Sequence, residues 1–130
     1  MTLQIVDGPT IAAGESLSDG ADCSAGTIVR ITVPQEFTEA NLTFLVSTDG
    51  NFYNDLHDSK GDPITITAKP DSGIVVAEAW TKSINFIKFR SGTRAHPVSQ
   101  NVDCRFAIAV EAPDAPALEG ASASRAGPRG

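Results

Sequence analysis

The chain has 130 residues, a formal net charge of -6 and a sequence pI near 4.7. That length suits one ordinary domain with a real core and leaves no room for two. The acidic balance argues against a phosphate-backbone partner, which a basic patch must recognise, and the apolar runs fall far short of a membrane span.

The first residues, Met1-Thr2-Leu3-Gln4, lack the basic and apolar regions of a signal peptide, so the expectation is a chain made and folded in a cytoplasm. A short strand is expected at Pro9 to Ala13, and Gly14 to Ser24 reads as a long loop. From Thr27 to Val33 the residues alternate, with Val29, Ile31 and Val33 on the core side and Arg30 and Thr32 opposite, until Pro34 ends the ladder. In that register Ile28 points away from the core. Gln35 to Ala40 is a single turn or a loop whose Phe37 plugs one end of the fold.

Leu42 to Ser47 places Leu42, Phe44 and Val46 inward and Leu45 outward. Asp49-Gly50 then supplies the positive φ that a tight two-residue hairpin turn needs, and Phe52 to Leu56 returns as a strand. Ile64, Ile66 and Ala68 share a face, and Pro70-Asp71-Ser72-Gly73 signals a turn into Ile74-Val75-Val76-Ala77, which predicts a second hairpin. Asn85 to Arg90 sets Ile87 and Phe89 against Lys88 and Arg90. Cys104 to Val110 sets Phe106, Ile108 and Val110 against Arg105, Ala107 and Ala109, with the loop Thr93 to Val102 between the two strands.

About eight short strands with turn signals between them predict an all-β fold, an antiparallel β-sandwich or jelly roll over residues 1–111. From Ala112 to Gly130 the chain is rich in Ala, Pro, Gly and Ser, with Leu118 its only large apolar residue, and reads as a non-globular tail. Such a tail orders on a partner surface.

Little in the sequence carries chemistry. Asp55, Asp58 and Asp62 offer oxygens, but their spacing does not match a calcium loop and they read as a solvated turn. His57 and His96 are isolated, and neither Cys23 nor Cys104 has a histidine nearby, so no metal, no cofactor and no catalytic residue is expected and the cysteines are read as free thiols. The cations Lys82, Lys88, Arg90 and Arg94 read as a solvated face. Outward Ile28 and Leu45 imply a face covered by a loop or a second subunit. Tyr53 and Trp80 are each the only residue of their kind and either can stack on a sugar ring, although a lone Trp more often fills core or interface.

Two family resemblances arise from these segments. Phe44-Leu45-Val46-Ser47-Thr48-Asp49-Gly50-Asn51-Phe52-Tyr53 together with Ile84-Asn85-Phe86-Ile87-Lys88-Phe89-Arg90 resembles the signatures of discoidin-like jelly-roll domains, which bind glycans or membranes through loops. The chain is shorter than those domains and lacks their terminal cysteine bridge. Over a longer stretch, from about Ile11 to Val110, it resembles small accessory virion proteins of tailed phages and of gene-transfer particles of alphaproteobacteria. That likeness rests on Ala13-Gly14-Glu15-Ser16-Leu17-Ser18, Ser47-Thr48-Asp49-Gly50, Asp55-Leu56, Phe89-Arg90-Ser91-Gly92-Thr93, Pro97-Val98 and Gln100.

The second resemblance implies a non-enzymatic structural subunit, a capsid decoration, head-fibre or tail-associated module. It would sit as a homo-oligomer in the virion and dock on the major capsid protein or another virion subunit. The docking residues expected are Ile28, Leu45 and Leu118. The alternative is a carbohydrate-binding module that recognises host surface glycans through Tyr53, Asp55, Asp58 and Trp80. A buried Trp80 suits docking, whereas an exposed Trp80 beside an open cleft suits a glycan.

Overall fold

The computed structural model describes residues 2–113, and it is all-β. Nine strands are β1 (Thr2–Ile11), β2 (Ala21–Asp22), β3 (Thr27–Val33), β4 (Ala40–Ser47), β5 (Asn54–Asp55), β6 (Ile66–Ala68), β7 (Ser72–Val75), β8 (Phe86–Ser91) and β9 (Cys104–Ala112). The one helical element among the described residues is a 3-10 turn, Ala79–Ser83. A four-stranded sheet runs β1-β9-β3-β7, and a five-stranded sheet runs β2-β8-β4-β5 with β6 also pairing with β4; every pairing is antiparallel. The core lies between the two sheets.

Alternation accounts for most of that core. Ile87 and Phe89 of β8, Phe106, Ile108 and Val110 of β9, and Leu42 and Phe44 of β4 are all buried, as the two-residue period of a half-buried strand requires. Phe37, Phe106, Phe89, Phe44 and Trp80 form a continuous aromatic chain, with successive ring centroids 5.5, 5.1, 5.4 and 5.3 Å apart. Three of these four contacts are edge-on, the arrangement that opposes the positive rim of one ring to the negative face of the next. Phe106 comes from one sheet and Phe44 and Phe89 from the other, so this chain ties the two layers together. Phe37 sits in the loop before β4 and closes its end of the core, as expected.

Several expectations need correction. Ile28 is fully buried, because β3 carries a bulge between Ile28 and Arg30: Ile28 faces Val110 and Arg30 faces Ala109. One extra residue in the strand inverts the alternation upstream of it, so Ile28 joins the core side that Ile31 and Val33 occupy downstream, and Val29, expected inward, is half-buried outside the core. The Asp49-Gly50 connection is not a two-residue turn, since Val46 pairs with Asn54 and the six residues 48–53 that follow β4 loop out. Only Gly50 there has positive φ, +84°. The Asp49 carboxylate accepts the backbone N–H groups of Asn51 and Phe52, and the Ser47 hydroxyl accepts those of Asp49 and Gly50. Side chains close this loop, and local hydrogen bonding of this kind competes with a hairpin turn.

The predicted second hairpin is also absent. β6 pairs with β4 and β7 pairs with β3, so the chain crosses from one sheet to the other through Pro70 and Asp71, the latter at φ +56°. Finally, the first strand begins at Thr2 rather than Pro9, and its ladder with β9 shifts register between Asp7 and Thr10. Pro9 is tolerated inside the strand because it sits at that irregularity, where a ladder donor is dispensable. Ala112, assigned to the tail from composition, closes β9 opposite Thr2, and the rest of the expected tail from Asp114 onward, with Leu118, lies outside the described residues.

Candidate functional site

The two sheets share a core but present different outer faces. On the five-stranded sheet, the outward residues of β4 and β8 are joined in one polar network. The Thr43 hydroxyl donates to the Gly92 carbonyl at 2.8 Å, and Arg90 Nε donates to Thr43 Oγ1 at 2.9 Å. Arg90 Nη1 reaches Asp55 Oδ1 at 2.9 Å, and Arg94 Nη1 reaches Asp55 Oδ2 at 3.0 Å. Beside them Lys88 Nζ lies 4.6 Å from the centroid of the Tyr53 ring, a cation–π distance. Leu45 does face outward here, half-buried and flanked across the strands by Lys88 and Asp55.

The four-stranded sheet is different. Gln4 and Val6 lie opposite Val110 and Ile108, which are core residues, so the intervening Leu3 and Ile5 point to the outer face with their partners Glu111 and Ala109. Ile5, Ala109, Arg30 and Val75 form one row across all four strands. At the usual strand spacing that row spans about 14 Å. Ile5 is 57% exposed, Val75 78% and Leu3 53%. Of the six exposed large hydrophobic residues among the described residues, three therefore lie on this one face. Of its two middle strands, β9 contributes the small Ala107 and Ala109 between the outward Arg105 and Glu111, and β3 contributes Arg30, which stands in the row between Ala109 and Val75. Arg105 Nη1 and Asp7 Oδ2 pair at 3.3 Å at one margin, and the Arg30 stem lies over Gly73 beside Val75.

The glycan candidates do not converge. Tyr53 and Lys88 border an open groove of about 490 Å³ with Phe86, Asn51, Asp19 and Asp22. Burial raises the Tyr53 pKa above that of a free phenol, helped by the charges of Asp49 and Asp19, so the ring keeps its hydroxyl proton. Gly20 permits the ring to sit there, since a Cβ at that position would lie 2.4 Å from the Tyr53 hydroxyl. Asp55 is taken up by its two arginines. Trp80 and Asp58 line a different, shallow cleft with Glu78. There the half-buried Trp80 packs on Phe44 and donates its indole N–H to Glu78 Oε1 at 2.8 Å, while Asp58 caps its own turn by accepting from the Lys60 and Asp62 amides.

Gln100 and Gly92 hold loops in place. The buried Gln100 side chain accepts from the Thr38 amide at 2.7 Å and donates to the Thr38 carbonyl, while its backbone bonds Gly14 and Glu15. Gly92, at φ +87°, admits no side chain, because a Cβ would meet the His96 carbonyl oxygen at 2.4 Å. Cys23 and Cys104 are buried free thiols, and burial pushes Cys23 up to about 12 and raises Cys104, so neither is a nucleophile at neutral pH.

Sequence reasoning missed Leu3, Ile5 and Val75. The signals were present: Leu3-Gln4-Ile5 already alternates, and in the unbroken apolar run Ile74-Val75-Val76 one side chain must face solvent if the segment is a strand. Compared with protein-family models, with curated proteins and with solved structures, the chain finds no match.

Proposed function

We propose that this chain is an accessory structural subunit of a virion, attached to the major capsid protein or another virion subunit through the outer face of its four-stranded sheet. One observation carries the reading: Leu3, Ile5 and Val75 are exposed on one face, with the small Ala107 and Ala109 and the stem of Arg30 between them, while the opposite sheet satisfies its own outward side chains. An apolar patch with charged residues around it is the ordinary composition of a protein–protein interface. The resemblance of the turn motifs to accessory virion proteins points the same way. The mechanism is adhesion, in which many copies on a repeating shell make a modest contact sufficient.

Co-sedimentation with particles lacking the protein tests the reading. The wild-type chain is expected to pellet with them and Val75→Lys to remain in the supernatant. Equal binding by both proteins, or no binding by either, overturns it. A second reading, a carbohydrate-binding module, is favoured by the groove that brings Tyr53, Phe86 and Lys88 beside Asp19, Asp22 and Asn51. It predicts that Tyr53→Ala lowers binding to host cells or their surface polysaccharide and leaves particle binding unchanged.

A further inference from the structure

A sheet that ends in solvent leaves a row of backbone N–H and C=O groups able to template another strand. The edges of the two sheets are treated unequally here. β2 and β5, at the ends of the five-stranded sheet, are two residues each, and β7 has four, preceded by Pro70. β1 has ten residues, and from Leu3 to Val6 its only described ladder partner is β9. That stretch contains no lysine, no proline and no charge, the usual devices that blunt an edge, although the chain as a whole carries a net charge of -6. Asp7, Pro9 and the register shift come only after it.

We infer that the occupant of this edge is a second copy of the same chain, its β1 paired antiparallel about a two-fold axis through Gln4. A two-fold axis perpendicular to the sheet keeps the faces of the two copies in common, so it opposes residues of like parity. Centred on Gln4, it sets Leu3 against Ile5 of the second copy, twice by symmetry, and Gln4 against Gln4. Apolar meets apolar and amide meets amide, with no charge at the seam. Centring on Ile5 would instead oppose Leu3 to Asp7, and centring on Leu3 would set Leu3 against itself and carry Ile5 past the start of β1, opposite position 1. The register about Gln4 is the one that opposes Leu3 and Ile5 to each other within the bounds of β1.

The consequence is a continuous eight-stranded sheet, since each copy brings four strands. Because the two outer faces lie on the same side, the two Leu3–Ile5 pairs join the separate apolar faces into one. This pairing extends the docking reading above but does not depend on it, because it is a property of the purified protein.

Sedimentation velocity of the full chain across the micromolar range is expected to show a reversible dimer. Leu3→Lys with Ile5→Lys places four ammonium groups at the seam and is expected to weaken that dimer about tenfold or more. Folding of the variant is checked by circular dichroism, which exposed positions leave unchanged. Mild oxidation of Gln4→Cys is expected to give a covalent dimer, because opposed Cβ atoms in such a pair are within reach of one another, whereas Val75→Cys on the opposite edge of the same sheet stays monomeric. The native cysteines are buried and do not interfere. A monomer at every concentration, an undiminished dimer in the lysine variant, or cross-linking of Gln4→Cys no faster than that of Val75→Cys overturns the inference. Failure of particle binding with the dimer intact rejects only the virion reading.

Discussion

The two sheets share one core and differ in what they do with their other side. The five-stranded sheet covers its outer face with its own side chains: Arg90 spans Thr43 and Asp55, Arg94 closes on the same carboxylate, and Lys88 lies over Tyr53. The four-stranded sheet leaves Leu3, Ile5 and Val75 in solvent, with alanines and the stem of Arg30 between them. The difference teaches that exposure alone is a poor guide and distribution a better one. Phe52, at 76% exposed, stands in a loop held by the Asp49 carboxylate, whereas three less bulky residues on one face make a surface that another protein can cover.

The largest expected effect falls on what the sheets have in common. Phe89 touches both Phe44 and Phe106, so Phe89→Ala removes the centre of the aromatic chain and is expected to cost about 3–5 kcal/mol in denaturant unfolding. A loss below about 1 kcal/mol would mean that the layers are held elsewhere. Asp55→Ala probes the polar face. It leaves the Arg90 guanidinium, whose side chain is only 12% exposed, without its carboxylate, and the expected cost is about 1–3 kcal/mol. Stability unchanged by this substitution would show the network to be a surface ornament.

The next effect reads how dry the core is beside β2. The folded Cys23 thiol, pushed up to about 12 chiefly by burial, stays protonated where an unfolded thiol of pKa 9.0 ionises. Its contribution is therefore fully present below pH 9.0 and is lost as pH rises towards 12, on the order of 1 kcal/mol by pH 10. Unfolding free energy measured from pH 8 to 10 should fall less steeply in Cys23→Ala than in the wild type, and identical slopes would reject the buried-thiol account. The smallest stability change belongs to the apolar face: Val75→Lys should alter unfolding by less than about 0.5 kcal/mol while abolishing particle binding. A large loss of stability there would make Val75 a folding residue and erase the contrast between the faces.

How much of this was legible can be followed along single strands. β8 and β9 alternate without interruption, and their inward residues Ile87, Phe89, Phe106, Ile108 and Val110 are those that periodicity selects. In β3 the same reasoning fails at two residues, Ile28 and Val29, because the bulge falls there and nothing in Thr27-Ile28-Val29-Arg30 marks it. The candidate docking surface was half legible. An outward apolar face was expected, Leu45 was placed correctly on the outside, Ile28 was not, and the residues that make the face come from strands whose sheet membership sequence could not assign.

The amino-acid sequence by itself determined the all-β class, the identity of most core residues and the position of the loops, because a period of two and the backbone preferences of Gly, Pro and Asp act within a few residues. Only the tertiary structure decided that β6 and β7 part into different sheets, that β1 is a ten-residue edge and that Ile5, Ala109, Arg30 and Val75 share a row. Those outcomes depend on which strands pair and in what register, and pairing partners here lie as far apart in the chain as Thr2 and Ala112, beyond the reach of any local pattern.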